Sequence, residues 1–242
     1  MNTYLLISGG TVSKSVFEAV LLEYSFYKII ACDKGIEACN SMNIIPDVVI
    51  GDFDSADRTV ADSYRDKCEF VDLDIHKDFT DTHAAINYII NEIYCDCNNG
   101  TDTGLSDAVK GDAQNNIINK YDKVELIILG ATGTRLDHTM ANIGMLKLCL
   151  EHNIQACIID EHNRIRMIDK ECTLCRDKLY PYVSLIPYSE KVCNVKLTGF
   201  EYPVSSFTFV IGDSIGVSNS IVEDKAAITL DAGKLLVIES HD

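Results

Sequence analysis

Three stretches concentrate the residues that could do chemistry. The first runs from Gly51 to Ser55 and follows an apolar run ending at Ile50. Its Asp52 and Asp54, one residue apart, would repel each other unless a cation sat between them. Hard oxygen donors of this kind suit Mg²⁺. Asp54 or Ser55 could instead cap the following helix. The second stretch runs from Lys77 to His83. Thr80 is placed to cap a helix starting near Asp81, and a helix N-terminus attracts phosphate through its unpaired N–H groups. Asp81 could be a third carboxylate for a metal, and Lys77 a cation for a phosphate oxygen. A capped helix with a solvated acidic first turn accounts for the same residues. The third stretch runs from Gly130 to His138. Gly130, Thr132, Gly133 and Thr134 are small enough for backbone to approach a ligand. Arg135 could hold phosphate bidentately. Asp137 could cap the next helix or face a reacting hydroxyl. His138 is either an acid–base group or a structural hydrogen-bonder. Neither a Walker A loop nor a G-x-G-x-x-G fingerprint is present.

These stretches need elements to hold them. Apolar runs at Thr3–Ser8, Lys28–Cys32, Asp47–Ile50, Glu69–Val71, Val124–Leu129 and Ala156–Ile159 read as strands. Helical patterns fall between them at 11–25, 34–42, 57–65, 81–93 and 138–151. In the first of these, Val12, Val16, Ala19, Val20 and Leu22 are the expected buried positions. Ala84, Ala85, Tyr88 and Ile89 share one side of the fourth. The alternation predicts an α/β fold with a mostly parallel sheet and flanking helices. Each of the three stretches follows a strand, so all can converge on one rim of the sheet, where open α/β sheets bind ligands.

After residue 160 helical periodicity fades. Short strand-like runs follow at 164–168, 182–187, 192–197, 206–210, 215–218, 226–230 and 235–238, with turn residues between them. The expectation is two domains: residues 1–160 as α/β, and residues 161–242 as a smaller all-β sandwich. Residues 95–121 are rich in Asn, Asp and Gly and read as a long surface insertion.

Lys plus Arg number 21 and Asp plus Glu 37 in 242 residues, a net charge of −16. Such a surface repels nucleic acid phosphates. An apolar fraction of 47% with 24% charged residues is globular. No apolar run reaches the roughly 18–20 residues of a membrane span, and the N-terminus lacks the pattern of a signal peptide. A cytoplasmic location is expected. The ten cysteines are scattered, several in apolar strings, which fits reduced thiols. Cys172 and Cys175 with Cys95 and Cys97 are the combination that could hold zinc. An acidic protein can still bind ATP if Mg²⁺ neutralises both carboxylates and phosphates.

The chain resembles the thiamine pyrophosphokinase family in its bacterial form. The matching stretches are ACDKG (31–35), PDVVIGDFDS (46–55), KDFTDT (77–82), GATGTRLDHTMANI (130–143), GVSNS (216–220) and AGKLLVIES (232–240), in the family's order. The resemblance implies transfer of a pyrophosphoryl group from ATP to the hydroxyl of thiamine, giving AMP and thiamine diphosphate. It implies an α/β catalytic domain that binds ATP and Mg²⁺, a β-sandwich that binds thiamine, and a homodimer with active sites between subunits. Asp52, Asp54 and Asp81 correspond to metal ligands. Asp52, Thr80, Asp81, Gly133 and Arg135 correspond to the ATP site, with Arg135 and Asp81 also catalytic. Asp137 corresponds to the group that orients or deprotonates the thiamine hydroxyl, and Ser218 and Asn219 to residues near thiamine. Two departures stand out: the length of 95–121, and Ser220 where an acidic residue is common.

Three other functions start from the same residues. A nucleotide-sugar transferase also uses D-x-D at a strand end, but leaves GATGTRLDH without a role. A non-catalytic nucleotide-binding module would bind ATP without turnover. An aspartyl phosphatase needs a nucleophile that nothing here singles out.

Overall fold

The computed structural model describes residues 2–54, 56–74, 78–94 and 123–242. The expected insertion at 95–121, with Cys95 and Cys97, lies outside the described residues, as do Ser55 and Lys77. The chain divides into two compact units, Met1–Gln155 and Ala156–Asp242.

The first unit alternates strand and helix in the order β1 (Asn2–Ile7), α1 (Lys14–Glu23), β2 (Lys28–Cys32), α2 (Gly35–Ser41), β3 (Val48–Gly51), α3 (Arg58–Tyr64), β4 (Glu69–Asp72), α4 (Asp81–Tyr94), β5 (Val124–Leu129) and α5 (Leu136–Glu151). The strands lie in the order β5-β1-β2-β3-β4. Every pair is parallel. The core strands read as continuous apolar runs because both faces are covered: Tyr4 to Ile7 and Leu126 to Leu129 are all buried. From β1 the chain moves to β2 and onward, and β5 returns to the other side of β1. The gap between the carboxyl ends of β1 and β5 is therefore the switch point of the sheet, the place where such folds leave room for a ligand.

One expected detail differs. In α1 the buried residues are Phe17 and Val20, whereas Leu22 is 90% exposed. Two residues along a helix is a rotation of about 200°, so Val20 and Leu22 cannot share one face. On α4 the expected residues Ala84, Ala85, Tyr88 and Ile89 are all buried.

The second unit contains β6 (Ile154–Ile159), which begins at the boundary, then β7 (Asn163–Ile168), β8 (Cys172–Cys175), β9 (Tyr182–Pro187), β10 (Lys191–Thr198), β11 (Val204–Val210), β12 (Asn219–Ser220), β13 (Lys225–Thr229) and β14 (Leu235–Ser240). One sheet runs β6-β7-β14-β9-β12 and the other β8-β13-β10-β11. The pairings within both are antiparallel. Val183, Leu185 and Val237 from the first sheet join Val195, Phe209 and Ile228 from the second in one buried cluster, as in a sandwich. The strand expected at 215–218 is absent; pairing instead begins at Asn219, opposite Val183. Cys172 and Cys175 lie on β8, opposite Ile228 and Lys225 of β13. Side chains three apart on a strand face opposite ways, so these two thiols cannot form a zinc knuckle. The described cysteines are all free.

Candidate active site

The switch-point cleft is built from backbone first. Ser8 N–H donates to Leu129 O at 2.8 Å, and Gly10 N–H to Gly130 O at 2.9 Å. Parallel pairing thus continues past the strand ends into two glycine-bearing loops. Gly130 has φ +66°, and a Cβ there would stand 2.7 Å from Ser8 O and 3.0 Å from Gly10 O. Only glycine fits both the conformation and the space. On α5, buried Asn142 reaches back to donate to Ala131 O at 2.7 Å, pinning the loop after β5.

The start of α4 closes the next side. Thr80 accepts from His83 N–H at 3.2 Å, the cap expected from the sequence. At the second position of the helix, Thr82 Oγ1 and Ser8 Oγ share a buried hydrogen bond of 2.6 Å, which ties the helix to the end of β1. Cys32 donates its thiol to Asp81 O at 3.6 Å. Burial, reinforced by Asp81 and Asp33, pushes the Cys32 thiol well above its ordinary value, so it serves as neutral lining and not as a nucleophile.

The resulting cleft holds about 780 Å³ and is lined by Ser8 to Thr11, Cys32 to Lys34, Asp54, Thr80 to Thr82, Gly130 to Arg135, Asp137 to Thr139, Ala141 and Asn142. Of the site residues expected in this unit, Asp54, Thr80, Asp81, Gly133, Arg135 and Asp137 all line it. His138 also lines the cleft and is exposed. Asp52 adjoins it through a cluster: carboxylate oxygens of Asp33, Asp52 and Asp54 lie within 4.8 Å of one another. The expected trio contained Asp81 where this cluster has Asp33; Asp81 lines the cleft outside it. Asp33 is 7% exposed and left-handed at φ +41°. Three like charges this close and all-oxygen donors fit a divalent cation such as Mg²⁺.

The turn between the two motif aspartates is itself unusual. Phe53 has φ +56°, a left-handed conformation that disfavours a bulky residue by about 1–2 kcal/mol. Asp54 N–H donates to Asp52 Oδ1 at 3.3 Å across that turn.

At the mouth, Arg135 and Asp137 pair through Nη2–Oδ2 at 2.7 Å and Nε–Oδ1 at 3.3 Å. The hydrogen bond from Arg135 is the main reason the Asp137 carboxyl lies below its ordinary range. Lys34 also lines the cleft, exposed, and makes no ion pair among the described residues. Sequence reasoning gave no role to Asp33 or Lys34, although both stand directly after a strand, as Asp52 does.

Ser218 and Asn219 belong to the second unit. Ser218 is exposed and left-handed at φ +60°, and its N–H donates to Ser184 Oγ at 3.1 Å. Asn219 is buried. Its Oδ1 accepts from Tyr202 N–H and Ser220 N–H, and its Nδ2 donates to Tyr202 O. Those bonds make Asn219 a clamp on the backbone that presents Ser218.

A parallel α/β unit with an acidic cluster, a capped helix start and a guanidinium around one switch-point cleft, followed by a β-sandwich, is the construction of a nucleotide-using transferase. A family model described as the thiamin pyrophosphokinase catalytic domain matches residues 21–158, and one described as the vitamin B1 binding domain matches 168–235. The chain belongs to the thiamin pyrophosphokinase family. It is 28% identical over 219 residues to thiamine pyrophosphokinase of Bacillus subtilis (strain 168), spanning 88% of this chain and 87% of that one. It is 26% identical over 202 residues to thiamine pyrophosphokinase 1 of Oryza sativa subsp. japonica, spanning 81% and 67%. Two solved structures share the fold along nearly the whole chain. The Bacillus subtilis thiamine pyrophosphokinase has a TM-score of 0.80 at 24% identity, with 100% of both chains covered. The Candida albicans thiamin pyrophosphokinase has 0.79 at 17% identity, covering 99% and 89%. The family's general reaction, pyrophosphoryl transfer from ATP to thiamine, is the activity of this chain.

Proposed function

We propose that the cleft between β1 and β5 is where this chain transfers the pyrophosphoryl group, with residues 1–160 acting on ATP and residues 161–242 helping to bind thiamine. The observation that carries this reading is the convergence of the Asp33–Asp52–Asp54 cluster, the α4 N-terminus and Arg135 on one cleft. Asp52, Asp54 and Asp33, with Asp81 beside them, would hold Mg²⁺, which when bound supplies charge neutralisation on the ATP phosphates. Thr80, the backbone at Gly133 and the Arg135 guanidinium position the phosphate chain. Asp137 orients the thiamine hydroxyl. The hydroxyl oxygen forms a bond to the β-phosphorus, the bond from that phosphorus to the oxygen bridging it to the α-phosphate breaks, AMP leaves with the electron pair, and the hydroxyl proton passes to solvent water. Attack at β instead of γ follows from where the two substrates are fixed.

The same reading includes a homodimer with thiamine bound between subunits. Tyr182, Ile186 and Val217, exposed apolar residues close in sequence to Ser184 and Ser218, support a covered surface there. It places the protein in the cytoplasm, consistent with its free thiols. Among the described residues no helix is long and apolar enough to cross a membrane.

The test is a product assay with purified protein, thiamine, ATP and Mg²⁺. AMP and thiamine diphosphate should appear in equal amounts and vanish with EDTA. ADP with thiamine monophosphate would move the attack to the γ-phosphorus, and ATP binding without turnover would demote the cleft to a binding module.

A further inference from the structure

A glycine would adopt the left-handed turn between Asp52 and Asp54 without strain, yet Phe53 stands there. The residue is 9% exposed, and its ring packs on Phe70 of β4 at 5.4 Å between centroids, tilted by 44°. The guanidinium of Arg65, the residue after α3, covers both rings, 4.6 Å from the centroid of Phe70 and 5.6 Å from that of Phe53. Arg65 is held in turn by Asp72 at the end of β4, with Nη2–Oδ1 at 3.0 Å and Nη1–Oδ2 at 3.3 Å. Phe70 and Asp72 are two apart on one strand, so they share a face and present ring and carboxylate together. The guanidinium is thereby fixed over two aromatic faces, where its charge meets the negative side of each ring.

We infer that Arg65, Phe70 and Asp72 form a clamp on the Phe53 ring that holds the Asp52–Asp54 turn in its left-handed shape and so presets the carboxylates for a divalent cation. Arg65 is not among the residues lining the cleft; it is a positioning residue that acts through Phe53. The inference rests on the proposal that Asp33, Asp52 and Asp54 hold the cation.

The probe is Mn²⁺ alone, titrated into the full chain and followed by the loss of the free-ion signal in electron paramagnetic resonance. Arg65→Gln and Phe70→Leu should each weaken Mn²⁺ binding about tenfold, the scale of losing support behind a metal ligand. Arg65→Lys, which keeps a cation over the rings, should recover part of that loss. Phe53→Gly should weaken binding by itself, and Arg65→Gln should then add nothing, because its only route to the metal has gone. Thermal melting in EDTA separates lost stability from lost affinity. Arg65→Gln that melts earlier yet binds Mn²⁺ like the parent, while Asp54→Asn does not, overturns the clamp alone. Asp54→Asn that binds Mn²⁺ normally overturns the cation site and the clamp with it.

Discussion

Arg135 and Asp137 face each other at the mouth of the cleft, joined by two hydrogen bonds, with 67% and 66% of their side chains exposed. The two charges neutralise each other across that contact. On the mechanism proposed above, a phosphate held by the guanidinium would compete with Asp137, and the freed carboxylate would face the thiamine hydroxyl. An exposed pair of this kind adds little to stability.

Arg135→Gln should raise the KM for ATP by about tenfold or more, the loss of one charge-assisted hydrogen bond. Asp137→Asn removes the negative charge that pairs with the guanidinium. It should lower kcat while the KM for ATP stays level or falls. Steady-state kinetics with ATP and thiamine varied separately checks both; equal effects on both substrates from both variants would contradict the division of roles.

The pair also shapes the acid side of the pH profile. Arg135 holds the Asp137 carboxyl below its ordinary value in the folded chain. A depressed folded pKa keeps the carboxylate ionised above the unfolded value, and its contribution is lost only as pH falls through the lowered one. Arg135→Gln should move the acid limb of kcat/KM for thiamine to higher pH. An unmoved limb would assign it to another group.

Replacing Asp33 or Asp54 with Asn should lower turnover by about 100-fold, the magnitude typical of removing one preorganised electrostatic contact. Circular dichroism and melting should remain close to the parent, because releasing like-charge repulsion offsets lost contacts. Comparing Asp33→Asn with Asp81→Asn decides which is the third ligand: the more damaging substitution should also raise the Mg²⁺ concentration needed for half-maximal turnover.

Gly130→Ala tests the backbone cradle. The left-handed conformation and the approach to Ser8 O together predict a loss of about 2 kcal/mol. In a chain of this size the melting temperature should drop by about 4–8 °C. A variant melting within 1 °C of the parent (~0.3 kcal/mol) would mean that the two loops separate easily.

Much of the fold and part of the site were legible in the residues alone. Strands buried on both faces read as apolar runs, helices as 3.6-residue periods, and the candidate stretches stand at strand ends; all of these are local patterns. The weaker readings were also local ones. The buried face of α1 is not legible in the sequence because its apolar residues surround the helix, and only packing selects Phe17 and Val20 over Leu22. The CTLC run resembled a metal knuckle until its pairing with β13 placed the thiols on opposite faces.

What tertiary structure decided is which distant residues meet. Asp33 joins Asp52 and Asp54 because β2 and β3 pair with Cys32 opposite Ile50, so that their following residues leave the sheet side by side. Phe53 can be left-handed because α3 and β4 bring Arg65 and Phe70 onto its ring. Sequence alone determined the fold class, the three motif stretches and the family, since periodicity and motif spacing are written along the chain. Register between strands, and the long-range packing that follows from it, determined which carboxylates lie together and which side chains pack beside them.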